Sequence, residues 1–178
     1  MRKLKNEELA RLSIAQFKVA AKTPLVVVLD NLRSMNNIGS AFRTADAFLV
    51  EQILLCGITA CPPHRDIHKT ALGATESVSW QYYEKTADAL LHLQNRGYRV
   101  LTIEQTTGSI PLHRFQPEAG QPYALVFGHE IKGVSEEAVA LADGSVEIPQ
   151  LGTKHSLNVA VSIGVVLWDF ASKMQAFD

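Results

Sequence analysis

Three short stretches of this sequence carry residue types that can hold an anion or handle a proton, and each follows an apolar run. In the first, Asn37-Ile38-Gly39-Ser40-Ala41-Phe42-Arg43, Asn37 and Arg43 bracket the opening turns of an expected helix. A helix N-terminus favours anions, and an Arg in its second turn supplies a forked donor for phosphate. The same spacing also allows a plainer account, in which Arg43 pairs with Asp46 and Asn37 merely caps. The second stretch, Gly128-His129-Glu130-Ile131-Lys132-Gly133, sets an acid between two glycines. Glycines let backbone approach a ligand closely, and Glu130 can accept from it or orient a neighbour; a simple connecting turn fits too. The third, residues 149–158, turns at Gly152 and holds Ser156 and Asn158, which taken alone are commonly helix caps. His129 and His155 flank these loops as neutral-range bases, so a proton-accepting role for either is an alternative.

Familiar catalytic signatures are missing. The sequence has no G-x-G-x-x-G after a strand, no Walker phosphate loop, no G-x-S-x-G elbow and no H-E-x-x-H. A nucleotide dehydrogenase, a kinase, a serine hydrolase and a zinc protease are therefore poorly supported. Cys61, His64 and His68 form a C-x2-H-x3-H string, but no fourth ligand stands nearby and Pro62 and Pro63 interrupt it. No metal is expected.

The elements that must position these loops alternate between strand and helix. Residues 25–30, LVVVLD, are a β-branched run typical of a strand buried on both faces of a parallel sheet. A helix follows with Ile38, Ala41, Phe42, Ala45 and Phe48 on one face, and then a strand over 52–57. A Pro-containing loop leads to a short helix at 67–72, a turn at Gly73 and a small strand at 78–82. An amphipathic helix at 86–95 ends at Gly97 and feeds a strand at 99–104. Another buried strand, 123–128, precedes a helix at 135–142 with Ser135 as its N-cap. The chain closes with a strand at 146–149 and a helix over 156–168 that has no charge and apolar residues on every face. Such a helix needs cover all round. It is shorter than the roughly 20 residues of a membrane span, so the sheet on one side and a second subunit on the other are the expected cover. Ala160, Ser162 and Gly164 would let a partner backbone come close. The pattern as a whole gives an α/β domain with a mostly parallel sheet flanked by helices. The three chemical loops all follow strand ends, where such sheets bind ligands.

Composition sets the class. With 47% apolar and 20% charged residues in 178, the chain reads as one globular domain. Its net charge of −1 does not suit a protein that coats nucleic acid with its whole surface. Residues 1–22 are nevertheless basic, with Arg2, Lys3, Lys5, Arg11, Lys18 and Lys22 against Glu7 and Glu8. That segment, also helical in pattern over 6–19, can touch phosphate or form a solvated face. Cys56 and Cys61 offer no disulfide framework, and no run resembles a leader or a span, so a cytoplasmic location is expected.

Taken together, the three loops resemble the motifs of the SPOUT methyltransferases, in particular the TrmH-type RNA ribose 2′-O-methyltransferases. An N-x-G-x-x-x-R element is matched by Asn37, Gly39 and Arg43, and G-x-E-x-x-G by Gly128, Glu130 and Gly133. The third, I-P with a Gly turn and S-L-N-V, is matched by Ile148, Pro149, Gly152, Ser156, Leu157, Asn158 and Val159. The resemblance covers residues 25–170. Two departures stand out: Leu49 where relatives usually have Gly, and His129 where small or amide residues are common.

The resemblance implies a deep trefoil knot in the C-terminal part of the α/β domain, which spans 23–178 after the basic segment. It further implies S-adenosyl-L-methionine as cofactor, held near Thr102, Glu104, Phe127, Gly128, Gly133, Ile148 and Leu157. RNA is the implied partner, tRNA ahead of rRNA, and a homodimer forms through the helices of the first and third motifs. Arg43 is the implied catalytic residue, with Asn37, Glu130, Ser156 and Asn158 orienting RNA, Arg43 and the loops. An Arg is essentially never neutral in proteins, so Arg43 suits stabilising an alkoxide or phosphate better than abstracting a proton. A different class remains open, a non-catalytic RNA-binding or assembly protein that keeps the fold.

Overall fold

In a computed structural model, which describes residues 1–177, the apolar runs become one seven-stranded sheet in which every pairing is parallel. Asp178, the last residue of the expected domain, lies outside the described residues. The strands are β1 (Thr23–Asp30), β2 (Val50–Cys56), β3 (Ser79–Tyr83), β4 (Arg99–Ile103), β5 (Ile110–Pro111), β6 (Tyr123–Phe127) and β7 (Gly144–Glu147). Their spatial order is β3-β2-β1-β6-β4-β7-β5. Thus β6 enters between β1 and β4, and β7 between β4 and β5.

Alternation explains why β1 has no polar interruption. Leu25, Val27 and Leu29 face one core layer while Val26 and Val28 face the other, as the two-residue period of a strand requires. The first layer packs helices α2 (Met35–Ala47), α3 (Arg65–Ala71) and α7 (Val159–Lys173) on the sheet, through Ile38, Phe42, Ile67, Ile163 and Phe170 among others. The second packs α5 (Thr86–Asn95) and α6 (Glu136–Leu141), through Leu90, Leu93 and Ala138. Among the described residues no helix is long and apolar enough to cross a membrane.

Several expected boundaries shift, each for a local reason. The N-terminal helix is not continuous: a 3-10 turn at Asn6–Leu9 ends at Ala10 in the left-handed region (φ 45°), and α1 (Ile14–Val19) restarts at Ser13. Ser13 and Gln16 form a capping box there, and α1 buries only Phe17. A further short helix, α4 (Ala74–Ser77), and the two-residue strand β5 were not expected, since neither is long enough to show a period. Ser135 does precede α6, yet its side chain makes no cap; its N–H goes instead to Asp30. Ser156 likewise does not cap the last helix, a task taken by Asn158, whose Oδ1 accepts from Ala160 and Val161 N–H.

The last helix is covered on one side only. Ile163, Val166, Leu167, Phe170 and Ala171 are buried, whereas Val161, Val165 and Trp168 are 53%, 40% and 58% exposed. Helical spacing joins Val161, Val165 and Trp168 into one apolar stripe. Leu49, the departure from the first motif's expected surroundings, takes φ 51°. This is the conformation glycine adopts without steric cost, so the departure is a strained residue at the exit of α2.

Gly39 of the first motif has a packing reason. A Cβ there would collide with Thr70 Oγ1 and the Ile67 carbonyl of α3, so the glycine allows the α2 and α3 backbones to touch. Gly39→Ala is expected to lower the unfolding free energy by about 1–3 kcal/mol, the usual cost of overpacking, as read from urea denaturation.

Candidate active site

The site lies where neighbouring strands send their chains to opposite faces of the sheet. After β1 the chain turns into α2 on one face, and after β6 it reaches α6 on the other. Such a reversal opens a crevice at the C-terminal strand ends. A cavity of about 400 Å³ occupies it, within the usual size of small-molecule sites. Ile103, Phe127, Ile148, Leu157 and Val159 supply apolar wall, and the 128–134 loop runs along its edge.

Glu130 ties two of the loops together. Its Oε1 accepts from the Ser34 N–H at 2.9 Å and from Asn37 Nδ2 at 3.0 Å, and its Oε2 accepts from the Arg33 N–H at 3.1 Å. Those donors sit at the start of α2, so the carboxylate also complements the helix dipole. Asn37 Oδ1 in turn accepts from Asn158 Nδ2 at 3.3 Å, and Asn158 caps α7. One chain of hydrogen bonds, Glu130 to Asn37 to Asn158, therefore joins the three motif loops. Burial pushes the Glu130 carboxyl up, but bonds from Asn37 and from the backbone of Glu130, Arg33 and Ser34 together hold it below its ordinary range.

The glycines of the second motif shape the loop itself. A Cβ on Gly128 would collide with the backbone of Gly133 and Val134, and one on Gly133, at φ 70°, with the Glu104 carboxylate. The loop closes on itself through reciprocal backbone bonds between His129 and Gly133, at 2.9 and 2.8 Å. Two further carboxylates fasten its far end. Glu104 accepts from the Val134 N–H at 3.0 Å, and Asp30, 1% exposed, accepts from the Ser135 N–H at 2.8 Å. Asp30 also accepts from Thr86 Oγ1 at 2.6 Å and Asn31 Nδ2 at 2.8 Å. Burial and then the charge of Asp30 push the neighbouring Cys56 thiol up to about 12, so that thiol is no nucleophile.

Of the residues singled out in the sequence, Glu104, Phe127, Gly128, Glu130, Gly133, Ile148, Ser156 and Leu157 line the cavity. Asn37 and Asn158 stand behind it in the Glu130 network. Thr102 does not reach it: the side chain is fully buried and its Oγ1 bonds the Gly144 carbonyl at 3.4 Å. Arg43 is also apart, lining a separate hollow with Arg11, Leu12, Ile14 and Asp46. Six residues of α-helix rotate it about 240° from Asn37, onto another side of α2. Among the described residues Arg43 makes no ion pair with Asp46, which accepts from Ser77 Oγ instead.

Sequence reasoning passed over Asp30, Gln105 and Glu147. Gln105 Nε2 donates to the His155 carbonyl at 3.0 Å, anchoring the otherwise exposed 149–158 loop across the cavity. An acid closing the apolar run of β1 was the one visible signal for Asp30. His64 Nδ1 caps α3 by accepting from the Asp66 N–H, and among the described residues no three metal-type ligands gather.

Comparison with known proteins gives a consistent set of likenesses. Residues 24–168 match the model of the SpoU rRNA Methylase family. The chain is 32% identical over 145 residues to a tRNA (guanosine(18)-2′-O)-methyltransferase of Thermus thermophilus, covering 82% of this chain and 73% of the relative. The crystal structure of the A. aeolicus TrmH/SpoU tRNA modifying enzyme superposes with a TM-score of 0.78 at 25% identity, over 90% of this chain and 80% of the other. An AdoMet-bound rRNA methyltransferase from Sinorhizobium meliloti superposes at 0.79 and 26% identity, over 85% and 57%.

The Glu130 network generates a pH signature. Since its folded value is depressed, its stabilisation is present above the unfolded carboxylate value of about 4.3 and fades as pH falls through the folded one. Glu130→Gln is expected to lose about 1–3 kcal/mol at pH 7, because the amide offers one acceptor where the carboxylate offered two. Urea denaturation at pH 7 and then in acid should show the gap between variant and parent shrinking.

Proposed function

The chain belongs to the SpoU rRNA Methylase family, and on that premise we propose that it transfers a methyl group from S-adenosyl-L-methionine to a ribose 2′-hydroxyl of RNA, with tRNA as the first substrate to test. The observation that carries this reading is the convergence of the three motif loops on one cavity through Glu130, Asn37 and Asn158.

The residues present suit the cofactor. Apolar side chains at Phe127, Ile148 and Leu157 offer contact area to a flat base, and backbone of the 128–134 and 148–157 segments offers polar groups at the same wall. Bound there, S-adenosylmethionine supplies an electrophilic methyl carbon on a sulfonium. The chain needs no covalent nucleophile, because a one-step displacement is served by positioning alone. Glu104 and Glu130 both spend their oxygens on N–H donors of the loops. Their part is to hold the loops, not to take the proton.

Arg43 stabilises the 2′-oxygen as that oxygen gives its proton to solvent water and takes the methyl carbon, S-adenosylhomocysteine being the leaving group, or grips the adjoining phosphate, through its guanidinium. Because it lies outside the cavity of its own chain, the reading has it serve the cavity of a second copy. The uncovered stripe of α7 supports that arrangement, since α2, which carries Arg43, packs beside α7. Residues 23–178 form the transferase domain and 1–22 a separate basic segment. The C-terminal part is threaded as a deep trefoil knot, supported by the entry of β6 and β7 between strands formed from earlier sequence. A cytoplasmic location belongs to the same reading.

Incubation with methyl-labelled cofactor and separated tRNA and rRNA pools should give label on a ribose of tRNA; no transfer to either pool would leave only a binding protein. Arg43→Ala should keep cofactor affinity by calorimetry yet lose about 100-fold or more in turnover, as when a transition-state donor is removed. Val161→Glu should shift the protein from dimer to monomer in sedimentation, with loss of transfer.

A further inference from the structure

Resting on the transferase reading above, we infer that His129 is a fixed hydrogen-bond donor, through Nε2–H, to the α-carboxylate of bound S-adenosylmethionine. The geometry of its own loop sets this role. Nδ1 of His129 accepts from the Ile131 N–H at 3.0 Å and, at longer range, from the Lys132 N–H at 3.5 Å. A proton on Nδ1 would point at two N–H groups, so the neutral ring carries its proton on Nε2. In that tautomer the imidazole has no free lone pair on either nitrogen, which removes it as the acceptor of the 2′-hydroxyl proton. What remains is one N–H, without a partner among the described residues, on a residue that lines the cavity.

The cavity's other charged groups decide what that N–H meets. Glu104 and Glu130 already accept from backbone or side-chain N–H at both oxygens, so neither needs it. Lys132 also lines the cavity, three residues on from His129. The loop therefore presents two donors and seeks an anionic oxygen. S-adenosylmethionine carries one anionic group, the carboxylate of its amino-acid end.

The test separates this role from a structural one. Nitrogen NMR of the wild-type protein should show His129 protonated at Nε2 and bare at Nδ1; the opposite tautomer overturns the proposal. His129→Asn keeps an acceptor for the loop amides through Oδ1 and removes Nε2–H. Its affinity for S-adenosylhomocysteine should fall about tenfold or more, the range for a bond to a charged group. Its affinity for 5′-methylthioadenosine, which lacks the amino-acid end, should hold. Equal losses for both nucleosides, or none for either, sink the carboxylate contact while leaving the transferase reading intact. Wild-type protein that binds neither sinks both.

Discussion

The site depends on one carboxylate reaching across the crevice between β1 and β6. Glu130 accepts three hydrogen bonds from the start of α2, groups that a helix beginning at the sheet's edge would otherwise leave to solvent. An ionised acid does this better than an amide because all its lone pairs accept. Once Glu130 is docked, Asn37 is oriented, and its carbonyl oxygen is left to receive Asn158. The starts of α2 and α7 and the edge of the cavity thus share one network, and such networks are worth more than their pairwise bonds.

The glycines and acids around the 128–134 loop work to the same end. Gly128 and Gly133 let the loop fold back on itself, and Glu104 and Asp30 hold its exit by successive backbone N–H groups. What comes close at these glycines is the protein's own, backbone at Gly128 and the Glu104 carboxylate at Gly133. Binding surface is then presented by a loop fixed from behind, so a ligand need not supply the energy to order it.

Much of this was legible in the sequence, and the limits have physical causes. The runs LVVVLD and YALVFG reported strands buried on both faces, since no face had to be polar, and the three loops that follow strand ends were found by their glycines and amides. Short elements such as β5 and α4 escaped because a period needs several residues to show. Asp30 escaped because its partners, Thr86 and Ser135, are distant in sequence, and nothing local distinguishes a buried acid from an exposed one. Ser156 and Asn158 were both read as caps on type alone, and of the two only Asn158 has its oxygen on the α7 amides. Arg43 was grouped with Asn37 by motif spacing, yet helical rotation carries the two to different sides of α2. A proton-accepting role for His129 stood as an alternative; only the folded structure reveals that its own loop occupies Nδ1.

The order of strands also bears on how the molecule is made. β1, β2 and β3 are neighbours in both chain and sheet, so they can pair as soon as they emerge during synthesis. The bonds that build the crevice join residues far apart: 105 positions separate Asp30 from Ser135, and 121 separate Asn37 from Asn158. Loop-closure entropy delays such contacts. A nascent chain lacking its final helix would already own every strand of the sheet but not Val159 and Ser162, which complete the cavity wall, so competence arrives late.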